Sequence, residues 1–268
     1  MISRLFIVAL LLTGQPAVGH EFWIEPEQFQ VAPGAELVAH LRNGQNFKGS
    51  SLAWFDNRFT RFDMVSGDEL IPVEGRIGDT PALEVTAPGA GLLVILHETT
   101  SSNLTYKEWE KFLKFADHKD FPDAAADHEA AGWSKERFRE TYTRHAKALV
   151  AVGAGAGADR AFGLATEFVA LTNPYDPAFD GQMRVQVFYQ GVPRADAQVE
   201  IFDRAADGSV TVSLTRTDEA GIATLPVADG HDYLLDAVVL RPSAAAGTAE
   251  NAPVWETLWA ALTFAVPE

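Results

Sequence analysis

The sequence predicts a mainly β protein: two β-sandwich domains with a helical insert between them. Short runs of alternating apolar and polar residues recur over 20–100 and again from 160 onward, the spacing that strands of a sandwich produce. Residues 101–152 change to a helical period. A run of small residues, Val152-Gly153-Ala154-Gly155-Ala156-Gly157-Ala158, follows and has the composition of a flexible linker.

In the first domain, Glu36-Leu37-Val38-Ala39-His40-Leu41 alternates, with Leu37, Ala39 and Leu41 on one face and His40 on the other. Asn43-Gly44 reads as a turn. Residues 58–65, 70–73 and 82–85 are short strand candidates, and Leu92 to His97 is an apolar run fit for a central strand. In the insert, Thr105-Tyr106-Lys107-Glu108 has the pattern of a capping box ahead of a helix whose stripe is Trp109, Phe112, Leu113 and Ala116. Pro122 stops that helix within an acidic stretch, Asp117 to Asp127. Gly132 and Ser134 introduce a second helix with the stripe Phe138, Tyr142, His145, Ala146 and Leu149. Beyond the linker, seven strand candidates begin at Thr166, Met183, Gln198, Val210, Ile222, Tyr233 and Leu258, with Asp218-Glu219-Ala220-Gly221 as a hairpin turn.

Residues 1–19 read as a signal peptide: Arg4 supplies the positive end, Leu5 to Leu12 the apolar run, and Ala17 and Gly19 the small residues before a cleavage site. A periplasmic or secreted location follows. The resulting domain bounds are 1–19, 20–100, 101–152, 153–159 and 160–268. The formal charge is −16, and loss of the leader removes only Arg4 and makes it −17. Such a balance opposes nucleic acid and anionic membranes as partners. No apolar run after residue 19 has the length of a membrane span. There is no cysteine, so disulfides and thiolate metal sites are excluded. Any bound metal must use histidine, carboxylate, amine or backbone groups, a set suited to divalent nickel, cobalt, copper or zinc.

Cleavage after Gly19 makes His20 the first residue, and a terminal amine with its own imidazole closes a chelate ring on a metal. His97, at the end of an apolar strand, is the first choice of second ligand. His40 reads as a ligand or as a solvated surface histidine. His145, on an apolar stripe, reads as a ligand or as a buried structural histidine. The candidate metal set is therefore His20, His97, His145 and His40. No zinc, phosphate-loop or dinucleotide motif appears, and no catalytic residues are singled out.

The segments His20-Glu21-Phe22-Trp23-Ile24-Glu25-Pro26, Tyr142 to Val150 and Trp255 to Phe264 together resemble the domain-of-unknown-function family 4198, once labelled a NikM-like component of nickel uptake. Gly191 to Val199 followed by Thr217 to Gly221 is similar to transthyretin-like or carboxypeptidase-regulatory-like sandwiches. The first resemblance implies nickel or cobalt. Together with the expected His20 terminus and the absence of cysteine, the expectation is a divalent transition metal (nickel, cobalt or copper) bound for uptake, delivery or buffering, with a membrane metal transporter as partner. Two alternatives stand beside it. One is a binding or scaffold module of the cell envelope that holds no metal. The other is an oxidative enzyme with a copper histidine brace at His20.

Overall fold

The computed structural model describes residues 19–268, so the expected leader, Gly19 apart, lies outside the described residues. In chain order the first strands are β1 (Glu21–Pro26), β2 (Gln30–Val31), β3 (Glu36–Gln45), β4 (Lys48–Leu52) and β5 (Phe59–Ser66). Then come β6 (Glu69–Pro72), β7 (Leu83–Thr86), β8 (Gly91–Thr99) and β9 (Ser102–Tyr106). Helices α1 (Trp109–His118) and α2 (Ala124–Ala130) precede β10 (Phe138–Val152) and β11 (Thr166–Ala170). The chain continues with β12 (Gln182–Tyr189), β13 (Val192–Pro193), β14 (Gln198–Arg204), β15 (Val210–Arg216) and β16 (Ile222–Pro226). It closes with β17 (Asp232–Pro242) and β18 (Trp255–Ala265).

These strands form three layers. The middle layer is a ten-stranded sheet in the order β15-β14-β17-β18-β10-β8-β5-β6, with β2 and β9 also paired to β10. One outer layer holds β1, β3, β4 and β7, and the other holds β11, β12, β13 and β16. Period-two alternation in the middle sheet supplies both cores. From β8, Leu93 and Ile95 pack with Ile24 and Leu37. Its neighbours Leu92, Val94 and Leu96 pack with Phe168 and Val185 on the opposite side. Two sandwiches therefore share one sheet.

That sharing corrects the expected boundary at 153–159. β10, before it, pairs in parallel with β18 near the end of the chain, from Glu140↔Trp255 to Ala148↔Thr263. The Gly-Ala run is packed. Gly155 takes φ +64°, and a Cβ there would stand 2.6 Å from the Ala151 Cβ. The Ala156 carbonyl accepts from the Leu92 N–H at 2.9 Å. The Asn173 amide donates to the carbonyls of Gly155 (2.8 Å) and Gly157 (3.1 Å). Small residues are required here for close approach.

The expected second helix is strand β10. Ala146 to Val152 is buried throughout, and a strand covered on both faces loses its alternation. Its Ala-Lys-Ala-Leu composition then reads as helix by propensity, and the three-layer packing overrides it. The capping box is also absent. Residues 102–106 form β9, and α1 starts after Glu108 with no side-chain cap. Asn43 and Gly44 lie within β3, and the turn falls at Asn46 and Phe47, both with positive φ. Gly44 is needed for approach, since a Cβ there would meet the backbone of Lys48 and Gly49 on β4.

Candidate functional site

On the face of the middle sheet that carries β1 and β3, helices α1 and α2 cover the remaining length. They pack Phe112, Phe115 and Ala116 on Trp255 and Trp259 of β18. Two clefts that share lining residues open beside the β1 layer, the outer one facing helix α1. The outer cleft, about 440 Å³, is bounded by His20 and Asn43 on one side, by Tyr106, Lys107, Glu108 and Lys111 on the other, and floored by Glu140, Tyr142, Arg144 and Trp259. The inner chamber, about 350 Å³, shares Asn43, Tyr142 and Arg144 and runs on to Phe22, Phe55, Phe59 and His97.

Arg144 stands where the two meet. Its position on β10 fixes its direction, because it shares a face with Ala146, Ala148 and Val150. The guanidinium carbon sits 3.8 Å above the Trp259 ring, its register partner on β18, and 5.3 Å from the Tyr142 ring. Its Nε and Nη1 are buried and make no hydrogen bond. Burial lowers its pKa, while Asp236, Tyr142, Glu140 and Glu21 pull the other way. No carboxylate forms an ion pair with it among the described residues. Arg144 lines both clefts, its two unpartnered nitrogens hold three unused N–H donors, and the planar fork of a guanidinium suits a carboxylate.

The other charges of the outer cleft reinforce this. Glu108 is taken by Lys111 at 2.8 Å. Glu140 accepts from Tyr106 at 3.0 Å and from Thr257 at 2.6 Å, and burial pushes its carboxyl up. Lys107 has no ion-pair partner among the described residues. A locally positive cleft thus sits in a strongly acidic chain.

Beneath Trp259 lies a second group of charges. Lys119, just after α1, reaches Glu200 of β14 at 2.6 Å and Asp236 of β17 at 2.7 Å, and stands 4.9 Å from the Trp259 ring. Glu21, the first residue of β1, is buried beside them. Desolvation and the neighbouring carboxylates of Asp236 and Glu200 push it up to about 7, against the pull of Lys119.

The four histidines singled out in the sequence do not converge. His20 is exposed at the mouth of the outer cleft. His97 lines the inner chamber, its ring 5.0–5.3 Å from those of Phe22, Phe59 and Phe62. Neither of its nitrogens has a partner, and burial pushes it down to about 3. His145 faces the other side of the sheet. There Nδ1 donates to the Trp259 carbonyl at 3.1 Å, and Nε2 lies 3.9 Å from Glu98. Burial lowers its pKa against the pull of Glu98. His40 lies on the outward face of β3, with Ser51 at 2.8 Å and Glu27 at 3.1 Å. No group of three or more metal-binding side chains occurs among the described residues.

Sequence reasoning passed over Arg144 and Glu21. The signal for Arg144 was present: on a strand reading, Tyr142, Arg144, Ala146 and Ala148 alternate onto one face, and an arginine heading an apolar face asks for a partner. Reading the segment as a helix hid it.

No curated protein matches the chain. Among solved structures, it is similar to a tetra-tandem repeat in the extending region of a large adhesion protein. That match has 10% identity and a TM-score of 0.22, covering 92% of this chain and 49% of that one. It is also similar to the D0–D1 domain of intimin at 13% identity and a TM-score of 0.24, covering 92% of this chain and all of that one. At such scores no property passes from either protein to this one. No helix among the described residues is long and apolar enough to cross a membrane. Residues 17–241 match the model of a domain of unknown function, DUF4198, and with most of its length matched the chain belongs to the DUF4198 family.

Proposed function

We propose that this chain is a binding protein of the cell envelope that holds a small anionic ligand against Arg144. The observation that carries the reading is the buried guanidinium, with Nε and Nη1 unpartnered at the junction of two clefts. A buried charge without a partner is costly, and an anion supplied from solution removes that cost. The leader-like residues 1–19 support the envelope location. The test is calorimetric titration of acetate, sulfate and phosphate into the full mature protein and into Arg144→Gln and Arg144→Lys. The expected result is binding that falls at least tenfold in Arg144→Gln and partly recovers in Arg144→Lys, which keeps charge without the fork. Equal binding by all three proteins, or none by the unaltered one, overturns the reading. Circular dichroism shows whether each variant is folded.

A second reading rests on the place of His20. Strand β1 is anchored by buried Phe22, Trp23 and Ile24, so a chain cleaved after Gly19 presents its terminal amine and imidazole from a fixed point at the cleft mouth. That end can chelate nickel, cobalt or copper, for buffering or for delivery to a membrane metal transporter. The fit is limited to this one residue. His97 is buried in the inner chamber, His145 faces the other side of the sheet and His40 the outer face of β3. Lys107, Lys111 and Arg144 oppose a dication in the His20 cleft. A competitive metal titration decides it, with a control carrying one alanine ahead of His20. Tight binding lost in the control supports the chelate, and equal weak binding by both removes it.

A further inference from the structure

We infer that the anion is the head of an amphiphile: a monocarboxylate whose apolar body fills the inner chamber while its carboxylate meets Arg144. This rests on the anion-binding reading above and names its ligand class.

Asn43, Thr99, Ser102 and Tyr142 also line the chamber, with Thr99 and Tyr142 beside Arg144, and the wall beyond them is apolar. Phe22 and Leu41 are buried at its base, and Leu52 and Phe55 are 40% and 42% exposed at its lip. Large apolar side chains left open beside a cavity mark a binding surface when they are contiguous. The volume, about 350 Å³, lies at the lower end of small-ligand pockets, which run roughly 300–1,000 Å³.

The charged residues of the chamber are both cations. Arg58 and Arg144 line it, and no aspartate or glutamate does, in a chain of net charge −16. Arg58 is exposed at the opening, and its side chain has no partner among the described residues. It is placed to steer an anion in, whereas Arg144, deeper and stacked on Trp259, is placed to hold it. His97 adds the polar feature of the apolar end. It is 2% exposed, both ring nitrogens are unpartnered, and the aromatic box keeps the ring neutral. A neutral imidazole does not oppose a hydrocarbon as a second charge would. A wall of phenyl rings and leucines between two arginines and an uncharged histidine matches a carboxylate with a hydrocarbon body better than a polyanion or a sugar.

The test is a calorimetric series of acetate, butyrate, hexanoate and octanoate on the full mature protein, with 1-octanol as the uncharged control. Leu52→Asp and Phe55→Asp are the chamber variants. Both sites are partly open to solvent, so the fold tolerates the change. Affinity should rise about fourfold for each methylene that enters the chamber, and 1-octanol should bind at least tenfold more weakly than octanoate. The gain per methylene should fall in both variants. Three results overturn the inference while leaving the anion site standing: acetate binding as tightly as octanoate, a chain-length gain indifferent to Leu52→Asp and Phe55→Asp, or an octanoate affinity matched by 1-octanol while acetate still binds through Arg144. Failure of every carboxylate to bind overturns this inference, and the anion-binding reading falls with it if sulfate and phosphate fail as well.

Discussion

At the scale of single residues, Glu21 and His97 shape the pH response from opposite directions. Glu21 is pushed up to about 7 from an ordinary value of 4.5. Between those values the folded chain keeps a proton that the unfolded chain releases, so stability falls as pH rises from about 4.5 and levels off above about 7. Its contribution between pH 5 and pH 8 is roughly 2–3 kcal/mol. His97 opposes it over the same interval, so the readout is the difference between chains: Glu21→Gln should lose that amount at pH 5 relative to pH 8 when compared with the unaltered protein by urea denaturation. His97 slopes the other way. Held down to about 3, it weakens the fold as pH drops below about 6.5, where only the unfolded chain takes up a proton. Neither shift could be read from sequence. His97 was legible as a strand-end residue and Glu21 as part of the β1 motif, but burial is set by what packs on them. For His97 that is Phe22, Phe59 and Phe62 from two other strands. For Glu21 it is the charges on β14, β17 and the end of α1.

At the scale of elements, most strands of the fold were legible, because strands with one open face alternate as β3 and β12 do. β10 was not, because both of its faces are covered. The helix pair is docked by one charged side chain as well as by its apolar stripe. Lys119 projects from the end of α1 between Glu200 and Asp236, all three buried. Lys119→Met leaves two buried carboxylates without their cation and should cost about 3–5 kcal/mol in chemical denaturation. The Gly-Ala run makes a second prediction. Gly155→Ala places a Cβ 2.6 Å from the Ala151 Cβ and 2.9 Å from the Tyr175 Cβ, at a φ of +64°. It should destabilise by about 1–3 kcal/mol, where a flexible linker would tolerate it. Thermal melting separates the two outcomes.

At the scale of the whole molecule, the sequence correctly indicated a mainly β, sandwich-type fold but not that its two cores share a sheet. Sharing is invisible to local pattern because it depends on which strands pair across long separations. It also makes the candidate site a product of the entire chain. His20 comes from the start, Tyr106 and Lys111 from the middle, Arg144 from β10, and Trp259 from within ten residues of the end. A fragment of residues 20–152, the first sandwich and insert as the sequence delimits them, should therefore lack a cooperative unfolding transition, as calorimetry would show. The parallel pairing of β10 with β18 carries a consequence in time. The middle of the sheet stays open until the last strand has been made, so contacts more than a hundred residues apart must form late. Folding should be slow for the chain's size, and a chain still emerging presents the unpaired edge of β10, an apolar strand in search of a partner.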